Sequence, residues 1–111
     1  DREKRTGLIC AISKDHKQGK YYKYWFAFHP HQEEFLSDFQ NAYVAYGCGA
    51  AENTYLIPFS QFKPFIQNFW TTDKVDRMYW HVVIHHRDGK FLLQQPKKGK
   101  DALVDISKYC I

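Results

Sequence analysis

A period of two dominates the chain. GLICAIS (7–13) is short, apolar and β-branched, the pattern of a buried strand. A polar loop, KDHKQGK (14–20), leads into YYKYWFAFH (21–29), whose aromatic density predicts a second strand. Alternation along it puts Tyr22, Tyr24, Phe26 and Phe28 on one face and Lys23, Trp25, Ala27 and His29 on the other. Pro30 ends that strand and suits the first turn of a helix over HQEEFLSDFQ (31–40). Phe35, Leu36 and Phe39 give this helix its apolar stripe, Glu33 and Glu34 suit its N-terminal end, and Asn41 is its stop. AYVAYGCG (42–49) and TYLIPFS (54–60) predict two strands around AAEN. Helical spacing returns at Phe62, Phe65, Ile66, Phe69 and Trp70, with Ser60 as N-cap and Pro64 tolerated in the first turn. TTDKVD (71–76) reads as a loop. After the hairpin described next come a basic loop, PKKGKDA (96–102), and a last strand, LVDIS (103–107).

The hairpin is RMYWHVVIHHRDGKFLLQQ (77–95). Asp88-Gly89 signals a type I′ turn, which requires positive φ at both central residues. With those two as the loop, Arg87 pairs with Lys90, His86 with Phe91 and Ile84 with Leu93. One face then carries Trp80, Val82, Ile84, His86, Phe91 and Leu93 and is predicted buried. The other carries Tyr79, His81, Val83, His85, Arg87, Lys90, Leu92 and Gln94, and is predicted basic and wet, with His81, His85 and Arg87 the more exposed.

The element order predicts an α+β fold, a mainly antiparallel sheet of about six to seven strands with two helices. Residues 1–6, DREKRT, read as a flexible end or linker remnant, and residues 7–111 as a single domain. A start at Asp1 instead of Met suggests a domain excised from a longer protein.

Composition changes the picture at one point. The apolar fraction of 44% and charged fraction of 25% are ordinary for a globular domain, which argues against disorder. Aromatics reach 18%, as nine Phe, eight Tyr and three Trp, more rings than a core of this size hides. Some are therefore expected on the surface, where rings serve stacking or interfaces. The net charge of +4 admits a polyanionic partner without demanding one. No apolar stretch is long enough to span a membrane, so a cytoplasmic location without membrane partners is expected. Cys10, Cys48 and Cys110 cannot all pair within the chain, and no Cys-x-x-Cys occurs; reduced thiols are expected. Cys48, between Gly47 and Gly49, reads as a packing residue before it reads as a nucleophile.

The histidines raise metal and acid–base chemistry. His81 and His85 share a face but lie about 13 Å apart at ~3.3 Å per residue, too far for one zinc ion bound at about 2.1 Å. His29 and His31 would be about 6.6 Å apart if extended, but Pro30 and the helix start spoil that geometry. No metal site and no cofactor are expected, and no Walker or GxGxxG pattern is present. His81 or His85 beside Arg87 and Lys90 would meet the outline of a metal-free ribonuclease site. The same four residues also describe a phosphate-binding face without chemistry.

YVAYGCGAAENTYLIPFSQF (43–62), about a fifth of the chain, resembles a strand-turn-strand segment that ends in an Ile-Pro pair before a helix in restriction-endonuclease-like nucleases. That family holds Mg²⁺ on two acids and orients water with a lysine, in a D…(D/E)-x-K pattern. The triplet in a plausible place here is Asp15-His16-Lys17, in a polar loop with no obvious acid before it. The resemblance implies a degenerate or accessory relative attached to a restriction or genome-defence protein.

The function expected from these observations is a nucleic-acid-binding module, of the DNA-binding kind, within a prokaryotic restriction or genome-defence type protein. Tyr22, Tyr24, Trp25 and Tyr79 would stack on bases. Lys14, Lys17, Lys20, Lys23, Arg87, Lys90, Lys97, Lys98 and Lys100 would contact phosphate, with His81 and His85 on the same surface. Two alternatives stand beside it. One is a small nuclease using His81 and His85 or a degenerate metal-dependent site. The other is a protein-interaction domain whose partners are other domains or subunits of a larger assembly.

Overall fold

The computed structural model describes residues 5–13, 16–18 and 21–111, without side chains at 16–18, 21 and 51. Among the described residues nine strands and two α-helices follow one another as β1 (Thr6–Ser13), β2 (His16–Gln18), β3 (Tyr21–Phe28), α1 (Pro30–Ser37), β4 (Asn41–Cys48), β5 (Thr54–Pro58), α2 (Phe59–Ile66), β6 (Thr71–Lys74), β7 (Arg77–Arg87), β8 (Lys90–Gln94) and β9 (Leu103–Asp105). The fold is α+β, as the alternation implies, but the strands divide between two sheets. The first sheet has the order β1-β4-β5, with β1 parallel to β4 and β5 antiparallel to it. The second has the order β2-β3-β7-β8-β9, antiparallel throughout. Trp80 pairs with both Phe28 and Thr71, so β6 lies on the far side of β7 from β3, in line with β8.

The hairpin forms in the expected register, with Arg87 opposite Lys90, His86 opposite Phe91 and Ile84 opposite Leu93. Asp88 and Gly89 have φ of 51° and 76°, the left-handed conformation that a type I′ turn demands.

Both sheets turn an apolar face inward, and the two faces make one core. Phe26 of β3 and Tyr46 of β4 meet across it with ring centroids 4.5 Å apart. Tyr24, Phe28, Val82, Ile84, Phe91 and Leu93 fill it from the second sheet, and Val44, Cys48, Tyr55 and Ile57 from the first. Leu36 of α1 and Phe59, Phe62 and Ile66 of α2 close it. Truncating one such buried aromatic to alanine typically costs about 3–5 kcal/mol. Cys48 is wholly buried, in keeping with packing, whereas Cys10 and Cys110 are exposed thiols.

The helices depart from their expected ends. α1 takes Pro30 at its first position, with the His29 amide donating to Gln32 Oε1 at 2.9 Å, but it stops at Ser37, and Asn41 opens β4. Only Leu36 of the expected stripe is fully buried; Phe35 is exposed and stacks edgewise on Phe39. α2 begins at Phe59 after Pro58, so Ser60 is inside the helix and not its cap. Pro64 is then the helix's sixth residue, where its missing N–H leaves the Ser60 carbonyl without its usual partner, and the helix ends two residues later. Two stretches expected as loops contain strands. His16–Gln18 pairs with β3, and Thr71–Lys74 with the N-terminal part of β7. Among the described residues no helix is long and apolar enough to cross a membrane.

Candidate nucleic-acid interface

The outward face of the second sheet gathers seven of the fifteen singled-out residues. β3 contributes Lys23 and Trp25, β7 contributes Tyr79, His81, His85 and Arg87, and β8 contributes Lys90. Their shared orientation follows from register: Lys23 lies opposite His85, Trp25 opposite Val83 and Arg87 opposite Lys90. β7 holds this together because its 11 residues pair with three strands at once.

At the Tyr79 end the face is aromatic. Trp25 is 42% exposed, with its ring edge-on to Tyr79 at 6.3 Å and tilted over His81 at 5.7 Å. Tyr79 also lies against His29, whose ring stacks on His31 at 5.3 Å and 19°. Near-parallel imidazoles aim their in-plane lone pairs side by side instead of at one point. Among the described residues no group of three metal-ligating side chains forms.

The indole N–H of Trp25 donates to His81 Nδ1 at 2.9 Å, and His81 Nε2 lies 2.7 Å from Thr72 Oγ1. Indole is a donor only, so Nδ1 must be the accepting nitrogen and the ring proton sits on Nε2, shared with the threonine hydroxyl. Both nitrogens of His81 are thereby committed. With Nδ1 engaged by the indole, this histidine holds the Trp25 ring in place.

Farther along β7 the face becomes cationic. His85 is only 8% exposed, contrary to the exposure expected for it. The register is as expected, and the ring edge is engaged by Gln94, whose Oε1 lies 2.6 Å from His85 Nε2. Burial holds His85 below the ordinary histidine value, the Gln94 bond opposes this, and the Arg87 and Lys23 charges lower it further. Two cations thus act on one buried imidazole, and the middle of the face is positive. Lys90 is partly offset by Asp105, whose carboxyl is lowered by its bond to Ser107 and by the Lys90 charge.

Other expected residues fall elsewhere. Tyr24 is 2% exposed and stacks on Phe91 in the core, so it cannot meet a base. Tyr22 is half-buried and stacks on His86 at 6.4 Å, on the inward side. Their alternation with Trp25 required this, since neighbours in a strand face opposite ways. Trp80, expected in the core, is half-buried against Phe28. Lys14 and Lys20 lie outside the described residues, as do Asp15 of the acidic triplet and the side chains of His16 and Lys17. Lys97, Lys98 and Lys100 are exposed in the turn after β8.

One residue was missed. Trp70, read as helical, is 57% exposed just before β6, and its carbonyl accepts the His81 amide. The Lys97 amide donates to the Asn68 carbonyl and Asn68 Nδ2 to Gln95 Oε1, so the lysine-bearing turn is fastened to the segment leading into Trp70. The early break at Pro64 was the available signal that the helical spacing would not reach position 70. No protein-family model, curated protein or solved structure matches this chain. Function therefore has to be argued from the site.

Proposed function

We propose that the chain is a nucleic-acid-binding module that uses the outward face of its six-stranded sheet. The observation that carries this reading is the placement of exposed Trp25 and half-exposed Tyr79 on the same face as Lys23, Arg87 and Lys90. Rings stack on bases and cations neutralise phosphate, and the two needs are met side by side. Lys97, Lys98 and Lys100, exposed on the turn bonded to Asn68, would add to the positive surface. The wider setting belongs to the same proposal: a DNA-binding module acting in the cytoplasm within a prokaryotic restriction or genome-defence type protein. It rests on the sequence resemblance of residues 43–62 alone.

The test is a salt series with labelled oligonucleotides, with and without Mg²⁺. A binding module loses affinity steeply and linearly in log–log form as salt rises and leaves the oligonucleotide intact. Cleavage would favour the nuclease alternative, and absence of both behaviours the protein-interaction alternative.

A further inference from the structure

Resting on that reading, we propose that the ligand is single-stranded nucleic acid, one base of which stacks on the Trp25 indole, and that His81 is a positioning residue holding this ring in place. Width comes first. β2, β3, β7, β8 and β9 lie side by side, which at ~4.8 Å per strand spacing separates the outermost backbones by about 19 Å. A B-form major groove is about 12 Å wide and admits a helix or a two-stranded ribbon. This sheet is too broad to enter it. Duplex bases are also stacked on one another and offer only their edges to the outside. A ring on a sheet surface reaches a base plane only when the base is unpaired.

The Trp25 ring is also preorganised. An exposed tryptophan ordinarily keeps rotamer freedom that binding must remove, at about 0.5–1.5 kcal/mol for an immobilised side chain. Here the chain Trp25 Nε1–His81–Thr72 Oγ1 holds the indole by its N–H edge, while 42% of the residue stays open to solvent. The ring is not part of the hydrophobic core, so core packing does not account for its restraint. Length agrees as well. Tyr79 to Arg87 is eight steps along β7, about 26 Å at ~3.3 Å per residue. That is room for the shorter single-strand sites, which take on the order of four nucleotides. The strand would lie with a base on the aromatic end and phosphates against Lys23 and Arg87.

The experiment measures binding of one mixed-sequence 12-mer as a single strand and as a duplex with its complement, at equal salt, by fluorescence anisotropy. The proteins compared are the parent, Trp25→Ala, Trp25→Leu (apolar bulk without a π face), His81→Phe and His81→Gln. The single strand is expected to bind more tightly than the duplex. Trp25→Ala and Trp25→Leu should each weaken it about 5- to 150-fold, the range for losing one base stack, with an unchanged salt slope and a folded circular dichroism spectrum. His81→Phe, which has no acceptor for the indole, should weaken it several-fold, and His81→Gln, which offers both an acceptor and a donor, by less. Duplex binding as tight as single-strand binding would overturn this inference while leaving the nucleic-acid reading in place. So would single-strand binding indifferent to both Trp25 variants, or equal losses in the two His81 variants. Binding of neither form would overturn the underlying reading instead.

Discussion

The two sheets share one core yet present opposite chemistry to solvent. The outward face of the first sheet carries Leu8, Cys10 and Ile12 of β1, which pair with Tyr43, Ala45 and Gly47 of β4. Thr54 and Leu56 of β5 continue it. Around Gly47 this surface has a hollow of about 250 Å³ lined by Cys10, Ile12, Gly49, Ala50 and Thr54. The outward face of the second sheet carries Trp25, Tyr79, His81, Lys23 and Arg87. Strand alternation guarantees that each sheet has an outer face but says nothing of its content. The first face's Leu8, Cys10, Ile12, Tyr43, Thr54 and Leu56 carry no charge. In the second, exposed Trp25 is tied by directional bonds through half-buried His81 to Thr72, and buried His85 is bonded to Gln94. Ordered polar side chains at a surface contribute little to folding, so their arrangement points to recognition.

The largest expected effect tests the inward and outward assignment of β1, on which the comparison stands. A Cβ added at Gly7 would come within 2.3 Å of Phe39 Cδ2 and 2.6 Å of its Cγ, distances that real atoms do not share. Gly7→Ala should therefore destabilise by about 1–3 kcal/mol, as overpacking does, read from a urea midpoint. Ile12, on the opposite side of the same strand, should not behave this way.

The next contrast is electrostatic. Lys23→Ala with Arg87→Ala should make the slope of log affinity against log salt shallower, by at most about 1.4 units on a single strand, each phosphate contact being worth about 0.7. Leu8→Lys on the apolar face should leave the slope as it is. An unchanged slope in the double variant would remove the cationic end of β7 from the binding surface.

A smaller effect concerns pH. His85 titrates below its ordinary value of 6.5 in the folded protein. Between that lowered value and 6.5 the unfolded chain binds more protons, so stability rises with pH across this window. The contribution is complete above about pH 6.5 and is lost as pH falls through the folded value. His85→Gln should flatten the melting temperature against pH between 7 and 5 relative to the parent. Parallel curves would mean that the ring is not desolvated as described.

How much of this was legible in the sequence varies by element. The hairpin register and its two faces were, because Asp88-Gly89 fixes the turn and a period of two does the rest. The division into two sheets was not, since β1 pairs in parallel with β4, 35 positions away at Thr6↔Asn41, and no local pattern encodes that choice. β6 is polar and four residues long; it is a strand because β7 runs past β8 and leaves a ladder to fill. At the site, Lys23, Trp25, Tyr79, His81 and Arg87 follow from alternation alone. His85 was read as wet because its face is, whereas in the fold it lies between its cross-strand neighbours Lys23 and Leu92 and is bonded to Gln94, and it is buried. The hold of His81 on Trp25 joins residues 56 positions apart and could only be seen folded.

The smallest expected effect returns to the apolar face. Gly47 has no positive φ to protect, and a Cβ there would meet Ile12 Cγ1 at 3.3 Å and Thr54 Oγ1 at 3.8 Å. The first contact is tight, but Ile12 is 82% exposed and has open solvent into which to turn. Replacing a strand glycine also reduces the freedom of the unfolded chain, a gain of about 0.4–1 kcal/mol where the backbone is compatible. Strain and gain oppose each other at similar size, so Gly47→Ala should move stability by no more than about 0.5 kcal/mol. Ile12→Lys should do as little, since an 82% exposed side chain has little burial to lose. Neither should alter oligonucleotide affinity, because the hollow lies on the sheet that carries none of the rings or cations of the interface. A loss of binding in either variant, with melting unchanged, would show that nucleic acid reaches the apolar face too, and the two faces would no longer differ in function.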